Sequence, residues 1–239
     1  MKSIDDNPHK DDGIGWPYPR PSVTVDLVVF TVIDTDLKVL LIQRRDPPFQ
    51  HDWALPGGFV RVGEPPAQTG ESVTAAAHRE LEEETGLKQG TVYLEQLQTF
   101  GKPNRDPRMR VISVAWYALV RPDLAPFVSA GSDAEAAQWW SVSKLPMLAF
   151  DHDEMVSMAI ERVRSKLDRS DIAFELVPPS FTIGDLRGVF ETIHGHQHDR
   201  GNFRRRFHRM LEDGVIISQP GKRQTRSKPA QVYCFNRGS

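Results

Sequence analysis

Three carboxylates at helical spacing offer the strongest chemistry in this chain. Glu80, Glu83 and Glu84 stand at i, i+3 and i+4 within residues 71–87, ESVTAAAHRELEEETGL. That spacing stacks them on one face of a helix. Like charges so placed repel, so the face calls for a cation. Oxygen ligands alone suit Mg²⁺ or Mn²⁺, ions that also bind substrate phosphates. The plainer account of such a run is a solvated acidic face.

A second chemistry sits at the other end. Residues 200–239 hold ten Lys and Arg against two acids, Glu212 and Asp213, so this segment carries +8 within a chain of net charge −2. A basic segment on an acidic body points to a polyanion partner. Thr182 with Asp185 has the spacing of a capping box, and Ile183, Leu186, Val189, Phe190 and Ile193 line one face of a short helix stopping at His194-Gly195. After a turn, Asp199 is a candidate N-cap for a helix over residues 200–211. Phe203, Phe207, Met210 and Leu211 form its apolar side. Asn202, Arg205, Arg206 and Arg209 face outward, with Arg204 on the flank and Arg200 at the start. Strands over residues 215–218 and 231–235 enclose a basic loop with Lys222, Arg223, Arg226 and Lys228. Helix, turn, arginine helix and hairpin is the order of a winged helix-turn-helix. An arginine helix suits the major groove, where Arg pairs with guanine and Asn with adenine, and a basic wing reaches phosphates. The alternative is a solvated basic helix with a flexible tail.

The carboxylate helix needs a frame. Residues 23–33 and 37–45 are β-branched and apolar, as are 92–100, 110–120 and 137–142, and all read as strands. Met155, Ala159, Val163 and Leu167 make one stripe of a helix over residues 151–168. His194, His196 and His198 alternate in the predicted turn without carboxylate or Cys companions, and read as exposed turn histidines rather than metal ligands.

Composition sets the outer limits. The chain has 239 residues, 39% hydrophobic and 26% charged, as in an ordinary soluble protein. No apolar run approaches the ~20 residues of a membrane span. The N-terminus lacks the apolar core of a signal peptide. Cys234 is the single cysteine, so no internal disulfide or Cys-based zinc site forms, which fits a reducing cytoplasm. The expected organisation is a disordered polar tail over 1–20, an α/β body over 21–150, a linking helix over 151–170 and a DNA-binding module over 171–239.

Residues 71–87 resemble the Nudix box, G-x5-E-x7-R-E-U-x-E-E-x-G-U with U apolar. Glu71, seven residues, then Arg79-Glu80-Leu81-Glu82-Glu83-Glu84-Thr85-Gly86-Leu87 match its second half without a gap. Residues 57–64, GGFVRVGE, fit the first half. Residues 65–71 look like a seven-residue insertion that repeats the Gly-Glu step and bulges as a loop. The resemblance implies an α/β/α sandwich around a mixed sheet. A Nudix domain fused to a winged helix in turn resembles the Nudix-related transcriptional regulators of NAD biosynthesis, the NrtR family. Residues 53–60 (WALPGGFV), 100–108 (FGKPNRDPR), 148–152 (LAFDH), 199–205 (DRGNFRR) and 228–233 (KPAQVY) are similar to that family.

The resemblance implies a dimeric repressor, on a palindromic double-stranded operator, released by ADP-ribose or a related nucleotide bound in the Nudix domain. Carried onto this chain, metal contacts fall at Glu80, Glu83 and Glu84, and catalytic roles at Glu83, Glu84 and Glu71. Arg79 orients these carboxylates by ion pairing. The Gly57-Gly58 loop and Arg44, Arg45, Arg79, Arg105 and Arg108 contact the ligand. Arg44 and Arg45 are neighbours on a strand, so one of the two is expected to face the pocket. The second function carried is a Mg²⁺-dependent ADP-ribose pyrophosphatase, against which the insertion argues. The third is a Nudix enzyme with an RNA- or partner-binding tail.

Overall fold

Two apolar faces of one strand divide the interior. The computed structural model describes residues 20–63, 70–88, 90–127, 134–225 and 228–238. Strand β1 spans Ser22–Ile33, and Val25, Leu27 and Val29 point to one side while Val28, Phe30 and Val32 point to the other. This is the period of two expected of a strand buried on both faces. The expected polar tail and most of the inserted loop, residues 64–69, lie outside the described residues, as does Arg226.

Around β1 runs a seven-stranded mixed sheet. β2 (Asp36–Arg44) pairs antiparallel to it, and β6 (Val111–Leu119) pairs parallel, with Asp26 beside Ala115. β5 (Tyr93–Phe100) extends the sheet beyond β6, and β7 (Ala134–Ser141) pairs β2. Two short strands escape the sequence reading. β3 (Trp53–Ala54) pairs β2, and β4 (Gly57–Phe59) pairs β1, with Gly57 opposite Asp26.

Helix α1 (Val73–Thr85) covers one face through Ala76, Ala77 and Leu81. The Ser72 side chain accepts from the Ala75 N–H at 3.1 Å, and Gly86, at φ 73°, closes the helix. That left-handed cap suits glycine, which has no Cβ. Helix α2 (His152–Leu167) covers the opposite face. It has Asp153 and Glu154 in its first turn and Arg164 and Lys166 in its last, matching its dipole. Met155, Val156, Ala159, Val163 and Leu167 are all 0–1% exposed, and each large apolar side chain so buried stabilises by about 1.5–3 kcal/mol. The result is an α/β/α sandwich.

Past α2 the chain makes a 3-10 turn, Asp171–Leu176, which the sequence reading leaves unassigned. Helix α3 (Ile183–His194) starts at a full capping box. The Thr182 side chain accepts from the Asp185 N–H, and the Asp185 carboxylate accepts from the Thr182 N–H at 2.7 Å. Helix α4 (Arg200–Glu212) is capped by Asp199, which accepts from the Asn202 N–H at 2.8 Å. β8 (Ile216–Arg223) and β9 (Ala230–Phe235) form the wing. β8 runs further than the expected 215–218, through Pro220, because a two-stranded ribbon tolerates a residue without an N–H at its register break. The core beneath α2 continues into Phe174, Phe190, Phe203, Phe207 and Ile216. One hydrophobic cluster therefore joins the sandwich to the winged helix.

Candidate functional site

The carboxylate face of α1 meets a cation, and it is a side chain. The Arg79 guanidinium donates to Glu71 through Nη2 at 2.6 Å and Nε at 2.9 Å, to Glu80 at 2.6 Å and to Glu83 at 2.9 Å. Glu71 is held down to about 2, chiefly by this hydrogen bond. The insertion is closed off beside it. The Arg61 N–H donates to Glu71 Oε1 at 2.8 Å, and the Glu71 N–H donates to the Arg61 carbonyl at 3.0 Å. Glu71 is therefore pinned to Arg61 just before the helix.

Arg79 and Arg61 occupy part of this carboxylate face as it is folded. Both oxygens of Glu83 are engaged, one by Arg61 at 3.0 Å and one by Arg79. Part of the repulsion foreseen between the α1 carboxylates is relieved by these guanidinium groups.

A separate cleft of about 230 Å³ lies across β1, β2 and β4. It brings together six of the seven expected ligand residues: Arg44, Arg45, Gly57, Gly58, Arg105 and Arg108. Arg79 is absent from its lining, being spent on the α1 carboxylates. Both Arg44 and Arg45 line the cleft, against the expectation of one. β2 ends at Arg44, so strand alternation no longer governs Arg45. The Arg44 guanidinium donates to the Pro48 carbonyl at 2.9 Å and lies 5.0 Å from the Phe150 ring. Burial first, and then the Arg108 charge, lower its pKa, so the cationic form is disfavoured in the cleft. Arg108 is held by Asp106 at 2.8 and 3.1 Å and stands over Phe59 at 5.7 Å. Guanidinium forks beside two aromatic faces suit a nucleotide carrying a diphosphate.

Arg105 behaves differently. Its side chain is 3% exposed and forks onto Asp151 at 2.7 and 3.1 Å, with Asp26 at 3.4 Å. It is the hub of a buried network beneath the cleft, more than a free phosphate ligand. Ser113 donates its hydroxyl to Asp26. His152 accepts from the Leu55 N–H at 2.9 Å through Nδ1 and places Nε2 3.5 Å from Asp26. Burial lowers the His152 pKa and keeps the ring neutral. Sequence reasoning assigned no role to Asp26, Asp151 or His152. The signal for Asp26 was present: a lone carboxylate inside an apolar strand needs a partner.

On the winged helix, Arg200, Asn202, Arg204, Arg205 and Arg209 are exposed along α4, and Lys222 and Lys228 along the wing. Two other arginines are turned to internal work. Arg206 donates to Asp168 at 2.6 Å and lies 4.3 Å over the Phe190 ring. Arg223 donates to Asp185 at 3.0 Å and to the Ser180 carbonyl, fastening the wing to α3. Helical geometry explains the first: Arg206 adjoins the buried Phe203–Phe207 side, where an aromatic face is within reach.

A Nudix sandwich with a cationic cleft, joined through one core to a winged helix with an arginine-studded outer face, defines a ligand-sensing DNA-binding protein. Residues 23–158 match the NUDIX domain family, and residues 173–235 match the NrtR DNA-binding winged helix domain. The ADPR responsive transcriptional repressor NtrR of Acinetobacter baylyi is 34% identical over 220 residues, covering 91% of this chain and 83% of the relative. The crystal structure of Shewanella oneidensis NrtR complexed with a 27mer DNA is 32% identical with a TM-score of 0.72, covering 89% of this chain and 93% of that one. The ADP-ribose pyrophosphatase of Methanocaldococcus jannaschii is 40% identical over 139 residues, 58% of this chain and 73% of the relative. The chain belongs to the NrtR family of Nudix-related transcriptional regulators.

Proposed function

We propose that this protein is an ADP-ribose-responsive transcriptional repressor acting on genes of NAD biosynthesis or salvage. One observation carries the reading. Helix α2 begins at the cleft, where Asp151 and His152 meet Arg105 and Asp26, and ends where Asp168 holds Arg206 of α4. A rigid element thus touches both the ligand cleft and the DNA-facing helix.

ADP-ribose, or a related nucleotide, places its diphosphate among Arg44, Arg45 and Arg108 and its rings against Phe59 and Phe150. Arg200, Asn202, Arg204, Arg205 and Arg209 read the major groove, while Lys222 and Lys228 contact phosphates. Two copies bind a palindromic operator, since two-fold protein symmetry matches paired half-sites. Ligand favours a domain arrangement whose half-site spacing no longer fits, and it acts only through differential affinity for the two arrangements. No helix among the described residues is long and apolar enough to cross a membrane, in keeping with work in the cytoplasm.

The test is recovery of sheared genomic DNA on the full chain, sequenced with and without ADP-ribose. A palindrome recovered only without ligand supports the reading. A palindrome indifferent to ADP-ribose removes the inducer, and no enriched sequence removes the repressor.

A second reading, a Mg²⁺-dependent ADP-ribose pyrophosphatase, is favoured by the closure at Arg61 and Glu71, which keeps Glu71 beside Arg79 despite the insertion. Absence of AMP release from ADP-ribose with Mg²⁺ at high protein concentration eliminates it.

A further inference from the structure

The turn between α3 and α4 holds three imidazoles about a common point. The ring centroids of His194, His196 and His198 are 5.1, 5.2 and 5.5 Å apart, and the ring planes agree within 12°. Three rings piled face to face would place the outer pair at twice the inner spacing. Here all three separations are alike, so the rings surround a centre. A point between them is within ligand reach of a nitrogen from each ring, and His194 Nδ1 and His198 Nε2 already approach to 2.9 Å. One ring nitrogen from each histidine lies within 4.8 Å of the others. The turn expected for these histidines thus brings their rings together.

We propose that His194, His196 and His198 form a binding site for one divalent transition-metal ion of the zinc class, set in the turn that leads into the DNA-facing helix. The outward nitrogens identify the ligand atoms. His194 directs Nδ1 at His198 Nε2, 2.9 Å away, while its own Nε2 lies 3.5 Å from Asp168. His196 places Nδ1 3.3 Å from the His194 carbonyl. The ligands are thus Nδ1 of His194 and Nε2 of His196 and His198. Metal-bound histidines characteristically give their other nitrogen to a carboxylate or backbone carbonyl, as His194 and His196 do. The His198 backbone N–H donates to Glu191 at 3.0 Å, which fixes the turn against α3.

A hydrogen bond accounts for the His194–His198 pair and a longer contact with the His194 carbonyl, at 3.3 Å, holds His196, but neither sets the three rings at equal spacing. A bound ion accounts for all three. Imidazole ligands select zinc, copper or nickel and reject Mg²⁺, so the site differs in kind from the carboxylate face of α1. His196 is exposed, which leaves a fourth position open to water. The ion would cross-link the end of α3 to the residue before the Asp199 cap of α4, and Asp168 joins the site to the grip on Arg206.

The test is titration of the full chain, prepared without a polyhistidine tag, with Co²⁺ as a visible-absorption probe. Expected are absorption bands saturating at one ion per chain, displaced by Zn²⁺, together with a thermal midpoint raised by Zn²⁺. His196→Gln, at an exposed position that leaves the fold intact by circular dichroism, is expected to weaken Co²⁺ binding at least tenfold and abolish the Zn²⁺ shift. Glu83→Gln is expected to leave the bands unchanged. No stoichiometric Co²⁺ uptake, or equal uptake by His196→Gln, overturns the site. Bands lost in Glu83→Gln but kept in His196→Gln would move the ion to α1 and overturn it equally.

Discussion

Asp168, at the end of α2, accepts a hydrogen bond from Arg206 of α4 at 2.6 Å, while the Arg206 guanidinium also covers Phe190 at 4.3 Å. One arginine of α4 thereby turns its guanidinium onto the protein. Because Asp168 is about half exposed, solvent screens the pair, and a double-mutant cycle with Asp168→Ala and Arg206→Ala is expected to give a coupling of about 0.5–1 kcal/mol in urea unfolding. The larger effect is on communication. Either substitution is expected to leave ADP-ribose affinity intact while weakening ligand-driven release of DNA. Release unchanged in both variants would rule out α2 as the carrier of the signal.

Arg105 sets the opposite case. Its charge is buried between Asp151 and Asp26, so removing it strands two carboxylates. Breaking a buried pair from one side typically costs about 3–5 kcal/mol. Arg105→Ala is expected to lose stability on that scale in chemical denaturation, far more than Arg209→Ala on the exposed face of α4. Equal losses would mean that the network beneath the cleft is not structural.

The contrast between these arginines marks where sequence reading reaches and where it stops. Periodicity locates α2 within a residue at each end, because a four-residue apolar stripe leaves one register for burial. Capping chemistry locates α3 and α4, because Thr182 with Asp185 and Asp199 with Asn202 are local pairs. Which arginine meets a ligand is not local. Arg105 and Arg108 are three residues apart, yet one is spent on Asp151, 46 residues away in the chain, and the other on Asp106 beside it. The histidine cluster is hidden for the same reason: alternation is visible in the sequence, whereas convergence depends on the path of the turn. The inward contacts of Arg206 are hidden likewise, because a helical wheel cannot show that Phe190 and Asp168 lie on its flank.

Gly57 tests the geometry of the cleft wall. It sits at φ 155°, and a Cβ there would lie 2.2 Å from the Val25 carbonyl oxygen. Backbone stands in the way, so no rotamer change relieves the clash. Gly57→Ala is expected to pull β4 from β1, costing about 1–3 kcal/mol by analogy with overpacked sites, and to weaken ADP-ribose binding. A variant with unchanged melting and affinity would show that β4 is free to shift.

Glu71 supplies a pH dependence with a definite sign. Its carboxyl is lowered to about 2, chiefly by the Arg79 hydrogen bond, from an ordinary value near 4.5. Below 4.5 the unfolded chain takes up a proton that the folded chain refuses. The stabilisation is therefore complete above about pH 4.5 and is lost as pH falls towards 2. Glu71→Gln is expected to flatten this part of the stability curve, read as urea midpoints from pH 6 to about pH 2.5. An unaltered slope would assign acid sensitivity to other carboxylates.

The proposed ligand recognition rests on the electrostatics of Arg44 and Arg108. Burial and the Arg108 charge together disfavour the cationic form of Arg44, so an entering anion relieves a cost already present in the cleft. Arg108 is the better residue to remove. Its contacts are a local pair with the buried Asp106 and an aromatic face, so Arg108→Gln is expected to cost some stability without ligand, limited by the Gln amide still donating to Asp106. With ligand, losing one charge-assisted hydrogen bond worth about 1.5–3 kcal/mol corresponds to roughly ten- to a hundredfold weaker binding. Calorimetric titration with ADP-ribose separates the two outcomes. A loss of ligand affinity in the folded variant places the diphosphate at Arg108. Unchanged affinity removes it from that side of the cleft, and a salt-independent affinity in the native chain would remove the charge argument altogether.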